Sequence, residues 1–278
     1  MAKISVLMSV YWSEKGKNLD RAIQSVWTDQ TIKPFEIVLI EDGVLTDDLY
    51  SVIALWKNKL EDKLVILKND VNLGLTKSLN RGINVVRGDF IARMDSDDIS
   101  TSNRFERQIE FLEKNPDIDI LGGALKEFDE TSDCLRIRRY PLTHNEVVKY
   151  ISKASPLAHP TVMMRRKMFD AGLRYNEKYK TSQDIALWFD AVLAGYKIGN
   201  VQDVTINFRS EGDVFRRRSR SKAWNEFKIY VNGIYRMNGL ITFKYIFPIL
   251  RLFFRLTPPK IVELIYKSEM RTTLLEKR

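Results

Sequence analysis

The sequence predicts an α/β fold with a mostly parallel central sheet and helices on both faces. Short apolar runs alternate with segments of helical apolar spacing from residue 4 to residue 121, the pattern of consecutive βα units. The first run, Ile4–Val10, is short, apolar and β-branched, as a buried strand should be. Three runs end in polar or acidic residues: Ser9-Val10-Tyr11, Glu41-Asp42-Gly43 and Asp95-Ser96-Asp97-Asp98. In parallel sheets of this class, ligands bind at the carboxyl ends of the strands.

The elements follow in order. After the Ile4–Val10 strand, Leu19, Ala22, Ile23, Val26 and Trp27 repeat at helical spacing. Phe35–Ile40 is a second strand. Leu49 to Leu60 is helical in pattern, and Leu64–Leu67 is a third strand. Leu75 to Val86 is helical and Phe90–Met94 is a fourth strand. Phe105 to Leu112 is helical and stops at Asn115-Pro116. Ile118–Leu121 is a fifth strand.

At 278 residues, the chain is long enough for one large domain or a domain with an appendage. Its composition, 44% hydrophobic and 29% charged, is that of a globular protein. The single Cys134 leaves no partner for an internal disulfide and fits a reducing compartment. Met1 to Leu7 enters a strand pattern at once, so no signal peptide is expected. No run of about 18 uncharged apolar residues occurs, so no membrane-spanning helix is expected. The net charge of +9 is unevenly placed. Of 45 Lys/Arg, 16 lie from Arg209 onward, with only 6 of 36 Asp/Glu. A near-neutral body thus carries a basic tail, a partner for nucleic acid, an anionic membrane or an acidic protein.

The cluster at 95–98 places three carboxylates within four residues. Packed carboxylates repel and raise one another's pKa. A hard cation, Mg²⁺ or Mn²⁺, relieves the repulsion and commonly shares its oxygen ligands with a substrate phosphate. The alternative is a solvated turn in which Asp caps the helix entered at Asn103-Arg104-Phe105. Convergence of three polar strand ends on one crevice favours a site. Dinucleotide binding is disfavoured, because Ser9 to Gly16 holds no Gly-x-Gly-x-x-Gly. The chain also lacks the Gly-x-x-x-x-Gly-Lys-[Ser/Thr] of a P-loop. A metal on carboxylates is the remaining way to hold phosphate.

Six segments together resemble the GT-A-fold glycosyltransferases of family 2. They are Ile4 to Tyr11, Glu36 to Gly43, Asn72-Leu73-Gly74-Leu75 with Asn80-Arg81-Gly82-Ile83, Ala92 to Asp98, His159 to Met163, and Gln183 to Trp188. The resemblance covers about residues 1–215 and is closest to the branch that builds exopolysaccharide and O-antigen repeat units. It implies an inverting, metal-dependent transfer of a hexose from a UDP-sugar, galactose first and glucose next. The implied acceptor is a lipid-linked saccharide carrying a polyprenyl diphosphate, and the implied product a β-linkage. UDP-GlcNAc and dTDP-rhamnose are alternative donors, and a basic-tailed nucleic-acid-binding protein is an alternative of a different class.

The resemblance also implies roles. Ser9 lies at the first strand end. Tyr11 would stack on uracil, Asp42 accept its N3–H, and Asp95 reach the ribose. Asp97 would hold the metal. Arg93 would serve a phosphate or pair within the cluster; Asp98 is open between a place in the acidic cluster and, from its position alone, a cap on the next helix. Relatives often carry an Arg where this chain has Leu79, which leaves Lys77 or Arg81 for the diphosphate. Asp184 would be the general base; from its position alone it reads as a helix-start carboxylate favoured by the macrodipole. His159 would line the sugar or acceptor pocket, or sit half-buried and satisfied. His144 reads as a surface residue. Glu211 stands where relatives often place a metal-shell His.

The chain thus divides into a catalytic domain, residues 1–215, and a helical extension, residues 216–278. Arg216-Arg217-Arg218-Ser219-Arg220 precedes a helical pattern around Trp224, Phe227, Ile229, Tyr230 and Tyr235. Leu240 to Leu256 is rich in aromatic and aliphatic residues, and Lys244, Arg251 and Arg255 fall on one side of a helix that Pro248 would kink or split. This is the pattern of a helix lying on an anionic membrane; a helical subdomain packed on the sheet is the alternative. The expected location is cytoplasmic, peripheral on the inner face of a bacterial cell membrane. Nucleic acid is not expected as a partner, since the tail holds more apolar residues than backbone binding needs.

Overall fold

Apolar runs long enough for strands pair side by side in a computed structural model of the chain, described for residues 2–129, 133–210 and 220–257. Strand β1 (Ile4–Val10) lies between β2 (Glu36–Asp42) and β4 (Phe90–Asp95), and β3 (Leu64–Asn69) flanks β2. All three pairings are parallel. Helices α1 (Gly16–Val26), α2 (Asp47–Leu60) and α3 (Leu75–Ile83) make the crossovers. The period-two alternation of side chains divides each strand between two cores. Val6, Met8, Ile37 and Leu39 pack into one, with Leu19, Ile23 and Trp56. Leu7, Val38 and Ile40 pack into the other, with Leu79, Ile83 and Trp188. Every residue of β2 is buried, so helices cover both faces.

The second half of the sheet departs from simple βα repetition. A two-residue strand β5 (Ile99–Ser100) follows the acidic cluster, then α4 (Arg104–Lys114) and the long β6 (Ile118–Phe128). The sequence places a fifth strand at residues 118–121, which is the start of β6. β6 does not pair with β4. Between them runs β8 (Met163–Arg165), antiparallel to both. The other edge of β6 pairs in parallel with β9 (Lys197–Arg209), and β9 pairs with β5. β7 (Arg136–Arg138) pairs with the far end of β6. The sheet is therefore mixed, with a parallel half of order β3-β2-β1-β4.

In that half, the strand order reverses between β1 and β4, and the crevice at such a switch point is where α/β sheets bind ligands. Ser9 is registered opposite Asp95 across it, and on the other edge of β1 Val10 is registered opposite Glu41 of β2. The remaining helices are α5 (His144–Tyr150), α6 (Lys167–Asp170), α7 (Gln183–Leu193), α8 (Arg220–Asn238) and α9 (Ile246–Leu256).

Two expectations for the extension are corrected. Pro248 neither kinks nor splits a helix. It is the third residue of α9, in the first turn, where no intrahelical N–H bond is lost. Arg251 and Arg255 do share one side of α9, while Lys244 precedes that helix, and the two arginines are engaged within the protein. Both bind Glu226 of α8, at 2.9 and 2.7 Å, and Glu226 is buried. Lys244 reaches Asn238. The apolar side of α9 stays exposed at Ile246, Ile249, Leu250, Phe253 and Phe254, with Phe243 just before it. No helix among the described residues is long and apolar enough to cross a membrane.

Candidate active site

The ends of β1, β2 and β4 form the floor of a cleft of about 760 Å³, lined by Ser9, Tyr11, Asp42, Asp95, Asp97 and further residues of the flanking loops. The strand-end residues named from the sequence therefore do come together. Tyr11 is 46% exposed, so its ring is open to a stacking partner.

Asp42 has a structural task as well. Its Oδ1 accepts from Asn69 Nδ2 and from the Leu73 N–H, both at 2.8 Å, and its Oδ2 from the Gly74 N–H at 2.9 Å. Residues 72–74 are thereby folded over the β2 end. The turn depends on Gly43, whose φ of +87° suits glycine. A Cβ there would meet the Asn72 backbone nitrogen at 2.8 Å. Gly43→Ala is expected to cost about 1–3 kcal/mol in urea unfolding, and to weaken nucleotide binding by disturbing residues 72–74. Unchanged stability and affinity would overturn that reading of the turn.

The acidic cluster is packed. Asp95, Asp97 and Asp98 each bring a carboxylate oxygen within 4.8 Å of the others. Arg93, almost wholly buried, forks onto both oxygens of Asp95; of the two roles considered for it, this is the local pairing. Burial, then the charges of Asp95 and Glu14, pushes the Asp97 carboxyl up to about 7. Burial, then Asp95 and Asp97, holds Asp98 well above the usual carboxylate range.

Asp98 does not cap the next helix. Asn103 precedes α4, and no side chain caps it. Asp98 Oδ1 instead accepts the Arg209 N–H at 2.9 Å, while Arg209 Nε donates to the Asp97 carbonyl at 3.1 Å. The end of β9 thus ties down the cluster. Asp98 Oδ2 is buried without a hydrogen-bond partner. Three converging hard oxygen donors, one of them buried and unsatisfied, fit a divalent cation such as Mg²⁺ or Mn²⁺. Beneath them lies Arg104, fully buried, whose Nη2 donates to the Arg93 carbonyl at 2.9 Å. Burial, then the neighbouring Arg93, pulls its pKa down to about 9.

Asp184 sits in the first turn of α7, as its sequence context predicts. The helix is entered through Ser182, held at φ 58°, a left-handed conformation that costs a non-glycine residue about 1 kcal/mol or more. Burial raises the Asp184 pKa, against the opposing pull of the Ile185 N–H and Arg93. Asp184 and His159 line a second cleft of about 530 Å³, and Phe208 lines both clefts. His159 is therefore at once a pocket residue and a satisfied one. It is buried, its Nε2 is 2.7 Å from the Tyr175 hydroxyl, and its ring meets Tyr175 and Trp188 edge-on. Burial, then Arg93, holds its pKa well below the usual imidazole range, so the ring stays neutral.

Other expectations shift. His144 is not a free surface residue, since its Nδ1 accepts the Ile198 N–H at 3.2 Å. Arg81 is spent on Asn69, and neither it nor Lys77 lines the first cleft. Lys180 and Lys222 line it instead. Neither was found from the sequence: Lys180 lies in a loop without pattern, and Lys222 reads as one more cation of the basic tail. Asn80 exchanges hydrogen bonds with the Tyr175 backbone at 2.9 and 3.0 Å, so that segment holds the wall beside His159. Glu211 and Arg216 to Arg218 lie outside the described residues.

A parallel half-sheet whose switch point carries an acidic cluster, joined through an antiparallel strand to a second half, is the GT-A-type arrangement of a glycosyltransferase. The chain belongs to glycosyl transferase family 2, whose model matches residues 5–173. It is 34% identical over 272 residues to the amylovoran biosynthesis glycosyltransferase AmsE of Erwinia amylovora, covering 95% of this chain and 98% of that one. It is 34% identical over 275 residues to the UDP-Gal:alpha-D-GlcNAc-diphosphoundecaprenol beta-1,3-galactosyltransferase of Escherichia coli, covering 98% of each. In fold it resembles the crystal structure of S. aureus TarS 1–349 in complex with UDP, with a TM-score of 0.62 at 19% identity over 98% of this chain and 77% of that one. The protein is thus a transferase with relatives in exopolysaccharide and O-antigen synthesis.

Proposed function

We propose that the protein is an inverting, metal-dependent hexosyltransferase that moves galactose, with glucose as the next choice, from a UDP-sugar to a polyprenyl-diphosphate-linked saccharide. The observation that carries this reading is the pair of clefts meeting at Phe208, one bearing the carboxylate cluster and the other Asp184. Residues 1–215 are the catalytic domain in this reading and 216–278 the extension.

In the first cleft, Tyr11 stacks on uracil, Asp42 offers the remaining acceptor capacity of its carboxylate to the base, and Asp95 reaches the ribose. Ser9 completes the floor. Asp97 would hold the cation, with Asp98 and Asp95 beside it. When bound, Mg²⁺ or Mn²⁺ supplies charge neutralisation on the diphosphate. Lys180 and Lys222 supply positive charge from the protein, and Glu211 remains a candidate for the metal shell. From the second cleft, Asp184 takes the proton of an acceptor hydroxyl as its oxygen bonds to the anomeric carbon. The carbon–oxygen bond to UDP breaks, its electron pair leaves with UDP, and configuration inverts. An α-linked donor therefore gives a β-linkage. His159, neutral and fixed by Tyr175, shapes the acceptor pocket.

A screen of UDP-sugars with Mn²⁺ and lipid-linked acceptors, read as UDP release and product formation, tests the proposal. Transfer from UDP-galactose is the expected result. No transfer from any nucleotide-sugar would sink it.

The exposed apolar side of α9 supports a place on the inner face of the cell membrane, where such an acceptor lies. With Arg251 and Arg255 engaged by Glu226, attachment rests on apolar contact more than on those cations. Phe253→Ser with Phe254→Ser is expected to weaken binding to anionic vesicles by about tenfold or more, with UDP affinity retained. Unchanged vesicle binding would exclude this helix as the contact.

A further inference from the structure

We infer that the second cleft holds the diphosphate of the acceptor, through Arg136, Arg138, Arg139 and Arg251, and so sets where the acceptor's sugar meets Asp184. This rests on the transferase reading above and goes further by assigning the anion site.

The cleft's lining is strongly one-sided in charge. Among the described residues four arginines line it, and Asp184 is the sole carboxylate that does. Arg138 and Arg251 are held in place by Glu127 and Glu226, neither of which lines the cleft. Arg251 also donates to the Lys153 carbonyl at 2.6 Å. Arg136 and Arg139 pair with no carboxylate among the described residues. Two oriented guanidinium groups and two uncommitted ones suit an oxyanion with several oxygens, because the planar fork matches phosphate geometry. The two uncommitted charges equal those of a diphosphate esterified at both ends.

A neutral saccharide alone gives no reason for such a lining, and the donor's own phosphates belong to the carboxylate cleft beyond Phe208. The position is also right. Arg251 is carried by α9, the helix whose Ile249, Leu250, Phe253 and Phe254 are exposed. A diphosphate bound there has its lipid end beside that apolar surface and its sugar end toward Asp184.

The test is calorimetric binding of inorganic pyrophosphate in EDTA buffer, which withdraws the metal from the donor cleft and so weakens uptake there. Wild-type protein is expected to bind. R136A/R139A, altered at two exposed positions, is expected to bind about tenfold more weakly or worse, and D97A to bind as wild type does. In turnover, R136A/R139A should raise the KM of the diphosphate-linked acceptor with kcat kept, and leave unchanged the KM of an alkyl glycoside of the same sugar. No binding by wild type, loss in D97A, or full affinity in R136A/R139A overturns the inference. So does a double variant that loses affinity for phosphatidylglycerol vesicles while keeping that for pyrophosphate, which would make these arginines headgroup contacts. Absence of sugar transfer by wild type would sink the transferase reading alone, since the pyrophosphate result stands without turnover.

Discussion

Asp184→Asn is expected to lower turnover by about 10²–10⁴-fold while leaving UDP affinity intact. The amide keeps the size and the hydrogen-bonding reach of the carboxylate but cannot take the hydroxyl proton. It also stays on the acceptor side, away from the cleft that holds Tyr11, Asp42 and Asp97. The pH profile should agree. A base works only when deprotonated, and burial raises the Asp184 pKa above its ordinary value of 3.8. Activity should therefore be present above that raised pKa and fall as pH drops through it. The acid limb of kcat should lie above that ordinary value and vanish in Asp184→Asn. Near-wild-type turnover in the variant would overturn the assignment.

Asp97→Ala should abolish metal-dependent donor binding and raise the melting temperature of the metal-free protein. Both follow from one arrangement. Asp95, Asp97 and Asp98 crowd their oxygens within 4.8 Å in a largely buried place, so in metal-free buffer their charges repel. Removing one relieves about 1 kcal/mol or more, which for a chain of this size is a gain of a few degrees. The wild type should instead gain stability on addition of Mn²⁺, by mass action on the folded state. UDP titrations with and without Mn²⁺, beside thermal melts, check both halves. Mn²⁺-dependent UDP affinity surviving in Asp97→Ala would refute the metal role. An unchanged melt would refute the crowding.

The parallel half of the sheet was legible in the sequence because its signals are local. Ile4–Val10, Phe35–Ile40 and Phe90–Met94 are mostly apolar runs with polar residues at their ends, and the register that sets Ser9 against Asp95 follows from the topology. What the sequence hid depends on distant partners. β8 has three residues, too few for a periodicity, yet it separates β4 from β6. Asp98 resembles a helix cap because caps are local, whereas its actual partner, Arg209, is 111 residues away. Arg104 is fully buried against carbonyls of Arg93 and Val162, partners that no spacing reveals. The second cleft was half visible. Asp184 and His159 were found through resemblance, while the arginines beside them sit on β7, its following loop and α9, where isolated cations look like solvated surface.

Glu226 binds Arg251 and Arg255 at once, which ties α9 to α8 as one hairpin. One arm of that hairpin presents Lys222 to the donor cleft and the other presents Arg251 to the acceptor cleft. The two clefts therefore share one pair of helices, through which binding in one is expected to be felt in the other. Saturation with UDP should change the affinity for pyrophosphate, and pyrophosphate should change the affinity for UDP by the same factor, since thermodynamic coupling is reciprocal. Independent affinities would mean that the hairpin holds still, and that the enzyme meets its two substrates with no communication between them.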